Sequence, residues 1–400
     1  MLSAKDIEDF LSGRKLAPDV ICRNDVLYTS VNSSDLSDFC VDLYGAVQTA
    51  HRGPEFIIGN PFDSDCLKGV SKKVVNKAPV SVLELDDARV VGRDAFLSSC
   101  DSLIDFSGSK LIDDFIKKPL NKHKGYIWKH RRNSLSITYR APHSGVQPKG
   151  VGIVVHGVES GNYGSFLFRM LPQLLILSRY AIDRIDYIVV PERTPWLMSA
   201  LLLLRLDHLC VYEFSEICGV PLEKFFAVGQ TDVEGSFHPN IYELIDEFSD
   251  FTGSTATDDF EFSKKVYLSR NLSKINRPNY RPLINEDEVE RSLMDLGFSI
   301  AYPETLSFSQ QIRLMRNAEF VVGPSGSGML NSVFSRPGVK VVDIESFTHT
   351  VRQHAHIYDS TEKKYGFVFG DLQDVNKPIF SPWTVESNHV LESIDLMAGV

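Results

Sequence analysis

The residues best suited to chemistry lie in FVVGPSGSGMLNSVF, at 320–334. A short apolar strand there turns through Gly323, Pro324, Ser325, Gly326, Ser327 and Gly328 into a helix-like stretch, Met329–Phe334. Such a turn leaves backbone N–H groups pointing one way with a helix dipole behind them, which suits an anion and above all a phosphate. Earlier in the chain, KKVYLSRNLSKINR at 264–277 sets Arg270 directly after an apolar strand, with Arg277 and Arg281 in a following loop that contains proline. A guanidinium grips phosphate oxygens in a bidentate fork. Loop and arginines together suggest a site for the pyrophosphate of a nucleotide sugar. A tight strand–helix turn without a ligand would use the same glycines. The string is neither G-x-G-x-x-G nor a Walker A motif, because no lysine follows the last glycine. Arg281, taken alone, reads as a solvent-exposed side chain.

Displacing a diphosphate asks for two things. The developing negative charge must be stabilised, a task that falls to the glycine loop with Ser325, Ser327 and Arg270. A base must also take the proton of the incoming hydroxyl. The candidates are His156 and Glu159, in the loop HGVESGNYG after an apolar strand at 152–155. A lone histidine at such a place is more often structural. Asp343, Glu345 and His349 follow a strand at 339–344 and are candidates for contacts with a ribose or base, or for capping the next helix. Asp63-Ser-Asp65 fits the D-x-D pattern of metal-dependent transferases, although three-residue matches are common by chance.

These groups need a scaffold that presents strand ends. From 79 to about 107 the apolar and polar residues alternate between turn signals, as in short antiparallel strands. Beyond 150 a βαβα rhythm sets in: strands at 152–155, 187–190, 210–214 and 225–228, and helices at about 165–180 and 196–206. This describes a parallel sheet covered by helices. SDFTGSTATDD at 249–259 has almost nothing to bury and reads as a linker. The rhythm then restarts with strands at 266–269, 298–302, 320–322 and 339–344. Asn285 with Glu288, and Ser307 with Gln310, have capping-box spacing, and Gly297 can close the first of the two helices. The fold class expected is α/β, with two Rossmann-like domains facing a cleft. The boundaries are an unassigned, β-rich N-terminal extension at 1–78, an acceptor domain at 79–248, a linker at 249–261, a nucleotide-sugar domain at 262–375 and a tail or helix at 376–400.

Four hundred residues are enough for two domains, and a net charge of −10 argues against a nucleic-acid partner. The six cysteines are scattered without metal-ligand spacing and read as reduced, mostly buried thiols. MLSAKDIEDFLSGRK carries acidic residues where a signal peptide has an apolar core. The apolar runs at 166–182 and 197–209 are interrupted by Arg169, Pro172, Arg205 and Asp207, and fall short of a membrane span. A cytoplasmic protein is expected, and the inner face of the membrane is the alternative location. The basic stretch at 117–132, with Tyr126 and Trp128, reads first as a solvated loop and second as a surface for an anionic acceptor or a membrane face.

The order of motifs resembles glycosyltransferase family 61. Its elements here are Ser269-Arg270, the Asn285–Glu288 helix start, Leu306–Gln310, Val322–Asn331 and PGVKVVDI at 337–344, with NYGSFLFRMLPQLLIL at 162–177 upstream. The likeness covers roughly 80–375 and is strongest over 264–344. It implies a GT-B fold and an inverting, metal-independent transferase that needs no cofactor and uses a nucleotide sugar, most often a UDP sugar. The implied acceptor is a glycan or lipid-linked saccharide, as in building a surface or capsular polysaccharide. The chain departs from the family pattern at Ser325, where a histidine is usual, at Ser165, Phe166 and Arg169 in the upstream helix, and at Asp343, where glutamate is usual. These departures keep open a second reading, a non-catalytic nucleotide- or sugar-binding protein on the same fold.

Overall fold

In the computed structural model, the residues described are 21–30, 40–61, 67–71, 73–77, 79–92, 95–97, 102–105, 126–131, 134–140, 146–157, 159–181, 184–229, 231–233, 236–255, 263–272, 281–346, 350–378 and 380–399. The chain divides into two compact units, one of 1–45 with 79–231 and the other of 46–78 with 232–400. The segment 46–78, expected as part of a separate N-terminal extension, partitions with the C-terminal half.

In the first unit the strands Val151–Val154, Tyr187–Val190, Cys210–Glu213 and Pro221–Val228 are parallel. Their spatial order is third, second, first, fourth, so the strand order reverses between Val151–Val154 and Pro221–Val228. The long strand Val80–Gly92 pairs antiparallel with Pro221–Val228 and continues the sheet through Ala95–Leu97 and Ser102–Asp105. The basic residues Tyr126–Arg131, expected in a loop, form a strand antiparallel to Ser134–Arg140, while 117–125 and 132 lie outside the described residues. Leu83, Leu85, Val154, Val189, Phe225 and Ala227 are buried together beneath this sheet. Gly152 is required by closeness, since a Cβ there would fall 2.3 Å from the Tyr187 ring.

The expected helix at 165–180 begins at Tyr163, capped by the Asn162 side chain, and winds as a π-helix over Phe166–Met170 before Leu171–Ala181 continues as α. Pro172 has no N–H to give the carbonyl four residues back, so a wider turn is a natural accommodation. The strand expected to reach Phe214 stops at Glu213, where a Glu213–Glu216 capping box starts a short helix.

In the second unit a six-stranded sheet runs in the order Ser299–Ala301, Lys265–Leu268, Phe320–Pro324, Lys340–Glu345, Lys364–Phe369, Ile57–Ile58, with every neighbouring pair parallel. The helix Ser387–Ala398 packs Val390, Ile394 and Met397 into the same core as Tyr267, Val322, Val342 and Trp383. Residues 249–255, read as linker, are the last turns of the helix Pro239–Thr255, which buries Phe248, Ser249 and Thr252. Small polar side chains were mistaken there for the absence of a buried face. Ser307 and Gln310 form the expected capping box. Asn285 does not: its side chain accepts from Val385 N–H and donates to Val385 O instead of capping its own helix. Cys218 is buried and Cys210 exposed.

Candidate functional site

Parallel sheets open a crevice where successive connections leave a strand in opposite directions, at the carboxyl ends of the two strands concerned. In the second unit that point lies between Lys265–Leu268 and Phe320–Pro324. The loops leaving those two ends carry Ser269-Arg270 and Ser325–Gly328. The sequence therefore sends its two best anion-binding features to one place.

Arg270 is partly buried, and its Nη1 donates to the carbonyl of Ser325 at 2.9 Å. Its backbone N–H donates to Glu286 Oε1 at 2.6 Å, and the same oxygen accepts from Tyr267 Oη at 3.3 Å and Ser269 Oγ at 3.4 Å. Glu286 is fully buried, so a carboxylate at the start of the Glu286–Asp295 helix ties down the Arg270 loop. Burial and the neighbouring Glu286 push the Tyr267 phenol well above its ordinary pKa, which leaves it a donor.

The glycine loop is tight. At Gly323 a Cβ would meet Met329 Sδ at 2.8 Å and Leu268 O at 2.9 Å, so glycine lets the two strand ends close on each other. At Gly326 the backbone has φ +153, a conformation that favours glycine, and a Cβ there would lie 3.7 Å from Arg270 Nη1 and 4.0 Å from Arg281 Nη2. Two guanidinium groups thus flank the turn. Arg281, expected at the surface, is only 6 % exposed and faces Glu345 Oε1 at 3.6 Å. Gly326, Ser327 and Gly328 form the partly exposed tip, while Ser325 is buried. The stretch after the turn is a 3-10 helix of six residues, Met329–Phe334, so the dipole invoked for phosphate is weak and the positive charge comes from the arginines.

The remaining expected site residues lie deeper. Ser269 is buried and accepts from Asn271 N at 3.1 Å. Asn331 is buried and donates to Gln311 Oε1 at 2.9 Å. Asp343 and Glu345 are fully buried beneath the Val351–Ser360 helix. Asp343 Oδ2 accepts from Tyr358 Oη at 2.7 Å and lies 2.6 Å from His354 Nδ1, while its Oδ1 has no hydrogen-bond partner among the described residues. Glu345 accepts from Thr350, the N-cap residue of that helix, at 2.8 Å. These contacts are with the side chains of Thr350, His354 and Tyr358, and no side-chain cap is found at that helix start. Arg277, His349, Asp63 and Asp65 lie outside the described residues. Arg281 reads as exposed in the sequence, and the residues missed were Glu286, His354 and Tyr358. A trace of the last two was visible in their spacing, since positions four apart share a helix face.

In the first unit, His156 and Glu159 follow Val151–Val154 at the other reversal point. His156 is 6 % exposed, its Nε2 lies 2.6 Å from Val228 O, and its backbone is clasped by the Gln173 amide. A carbonyl only accepts, so Nε2 carries the hydrogen and is not a base. The ring also meets Phe96 edge-on at 5.8 Å. His156 therefore joins the ends of the two diverging strands. Glu159 is exposed, at φ +58.

The family model described as Glycosyltransferase 61 matches residues 163–342, a span that holds the Arg270 loop and the whole glycine loop. Over this region the chain is similar to glycosyltransferase family 61. No curated protein matches the chain. The matched region begins at the Asn162-capped helix and ends within the strand that carries Asp343. Among the described residues no helix is long and apolar enough to cross a membrane, and no group of three or more His, Cys, Asp or Glu side chains has metal-binding geometry.

Proposed function

We infer that the chain transfers a sugar from a UDP-linked donor to a glycan or lipid-linked saccharide, as in building a surface or capsular polysaccharide, by an inverting and metal-independent reaction on a GT-B fold. Donor binding is assigned to the second unit and acceptor binding to the first. The observation that carries this is the meeting of Arg270, Arg281 and the Gly326 turn where the strand order reverses. A diphosphate there receives two forked cations and the N–H groups of a glycine turn, and the same donors stabilise the charge that grows on it as the sugar leaves. Of the two candidate bases, Glu159 is the one whose carboxylate is open to solvent.

A second reading, a nucleotide or sugar binder that performs no transfer, draws on the commitment of His156 Nε2 to Val228. One experiment separates the two. The chain is incubated with a panel of nucleotide sugars while donor hydrolysis and thermal stabilisation are followed. Slow hydrolysis of a UDP sugar with stabilisation by UDP supports the transferase, and stabilisation without turnover supports the binder. No response to any nucleotide removes both. Chelator leaves turnover intact under this assignment, and strict dependence on Mn²⁺ would move attention to Asp63 and Asp65.

A further inference from the structure

Ser325 is backed by a buried polar chain whose hydrogens can be assigned. Ser325 and His354 are each 2 % exposed and Asp343 is fully buried. Asp343 stands opposite Gly323 in the pairing of the two strands. His354 Nδ1 lies 2.6 Å from Asp343 Oδ2 and 3.4 Å from Ser325 Oγ, and Thr350 Oγ1 lies 3.4 Å from Ser325 Oγ on another side. An ionised carboxylate only accepts, so the short contact puts the hydrogen on Nδ1. Tyr358, whose phenol is pushed far up by burial and by Asp343, donates to the same oxygen and leaves it an acceptor. Thr350 has one hydroxyl hydrogen and spends it on Glu345 Oε2 at 2.8 Å. Toward Ser325, then, the Nδ1 of His354 presents no lone pair, its hydrogen being spent on Asp343, and Thr350 presents one. The Ser325 hydrogen has no place on Nδ1. Its partner among the described residues is Thr350 at 3.4 Å, near the outer limit for an O–H···O bond.

We propose that Asp343 and His354 are positioning residues that fix the tautomer beside the glycine loop and so keep the Ser325 hydroxyl a donor to the diphosphate of the bound nucleotide. The proposal rests on the donor-site reading given above. It adds that the loop's one buried hydroxyl is polarised in a set direction, by residues that themselves touch no ligand. With the opposite tautomer, Nδ1 would be a lone pair competing for the Ser325 hydrogen, and the ligand would lose a donor.

Two measurements on the full chain test this. Nitrogen-edited NMR of the imidazoles, with His354→Gln used for assignment, should find His354 with its hydrogen on Nδ1, and a lone pair on Nδ1 overturns the proposal. UDP and uridine are then titrated into wild type, Ser325→Ala, His354→Gln and the double variant, with Arg270→Ala as reference. Loss of one hydrogen bond to a charged group predicts about a tenfold weaker grip on UDP for Ser325→Ala, with uridine unaffected. His354→Gln should weaken UDP binding in the wild-type background and add nothing once Ser325 is alanine. Independent, multiplying losses, or a silent Ser325→Ala, overturn the positioning role while binding sensitive to Arg270→Ala keeps the site. Absence of UDP binding by the wild-type chain removes the site and this inference together. Should His354→Gln fail to fold, the wild-type tautomer and Ser325→Ala still decide the matter.

Discussion

Replacing Arg270 with alanine removes one of the two guanidinium groups that flank Gly326. A hydrogen bond to a charged partner contributes about 1.5–3 kcal/mol, so UDP affinity should fall roughly 10- to 150-fold. Arg281 remains at the turn and keeps binding from vanishing. The side chain has a second role, because its Nη1 braces the Ser325 carbonyl at 2.9 Å. The two roles separate by ligand: losing the charge weakens UDP and leaves uridine unaffected, whereas a slackened loop weakens both. Calorimetric titration of UDP, UMP and uridine at two salt concentrations distinguishes them, since charge-driven affinity also falls as salt rises. Arg270→Lys should recover part of the loss, as a point charge without the planar fork. Equal losses for UDP and uridine, or no loss, would refute the placement of the diphosphate.

Glu286→Ala should leave the Arg270 N–H without its acceptor, costing about 1–3 kcal/mol of stability and lowering UDP affinity in the direction of Arg270→Ala, checked by denaturant midpoint and titration. Gly323→Ala forces a methyl to within 2.9 Å of Leu268 O and should destabilise the protein by about 1–3 kcal/mol while spreading the two loops, seen as a lower melting temperature and weaker UDP binding. His51 is held neutral, its pKa pushed down to about 3 by burial and by Lys77, so the unfolded chain takes up a proton first as the pH drops. Stability should therefore fall from about pH 6.5 towards 3, by at most about 1.4 kcal/mol per pH unit for this group, and denaturant midpoints of wild type and His51→Gln should converge at low pH. A gap that widens on acidification would refute that sign.

Four strands of the second unit's sheet, the Ser307 capping box and the convergence of Arg270 with the glycine loop were legible because each rests on local pattern: apolar runs, side-chain spacing and a turn that only glycine fits; the strand Lys364–Phe369 was not read. What failed was partnership at a distance. Asn285 has the spacing of a cap, but Val385, a hundred residues on, claims its amide. Arg281 reads as exposed until Glu345 and the Trp383 indole, which donates to the Arg281 carbonyl at 3.0 Å, are brought around it. Residues 46–78 have no clear period because their strands are short and borrow edges: Ile57–Ile58 extends the second unit's sheet, and Val47–His51 pairs with Lys73–Lys77. His51 meets Asp359 and Ser236 from the rest of that unit, contacts no local pattern predicts.

Each unit reverses its strand order once, and the two reversals are treated differently. In the first, His156 spans from one strand end to the Val228 carbonyl on the other, with Phe96 and Gln173 packed around it. An imidazole with its Nε2 hydrogen committed takes no second one there, and freeing it would leave a buried carbonyl unpaired at a cost of about 1–3 kcal/mol. In the second, the corresponding ends carry glycines and guanidinium groups, and the turn between them reaches solvent at Gly326–Gly328. Under the proposed assignment the diphosphate uses the second reversal and not the first. Under the same assignment the proton acceptor is Glu159, which lies exposed in the loop that carries His156. Glu159→Gln should abolish transfer yet leave UDP affinity within about twofold, since no part of the diphosphate contact changes. Transfer that survives in Glu159→Gln and is lost in His156→Asn with normal folding would show that His156 leaves Val228 during the reaction and serves as the base.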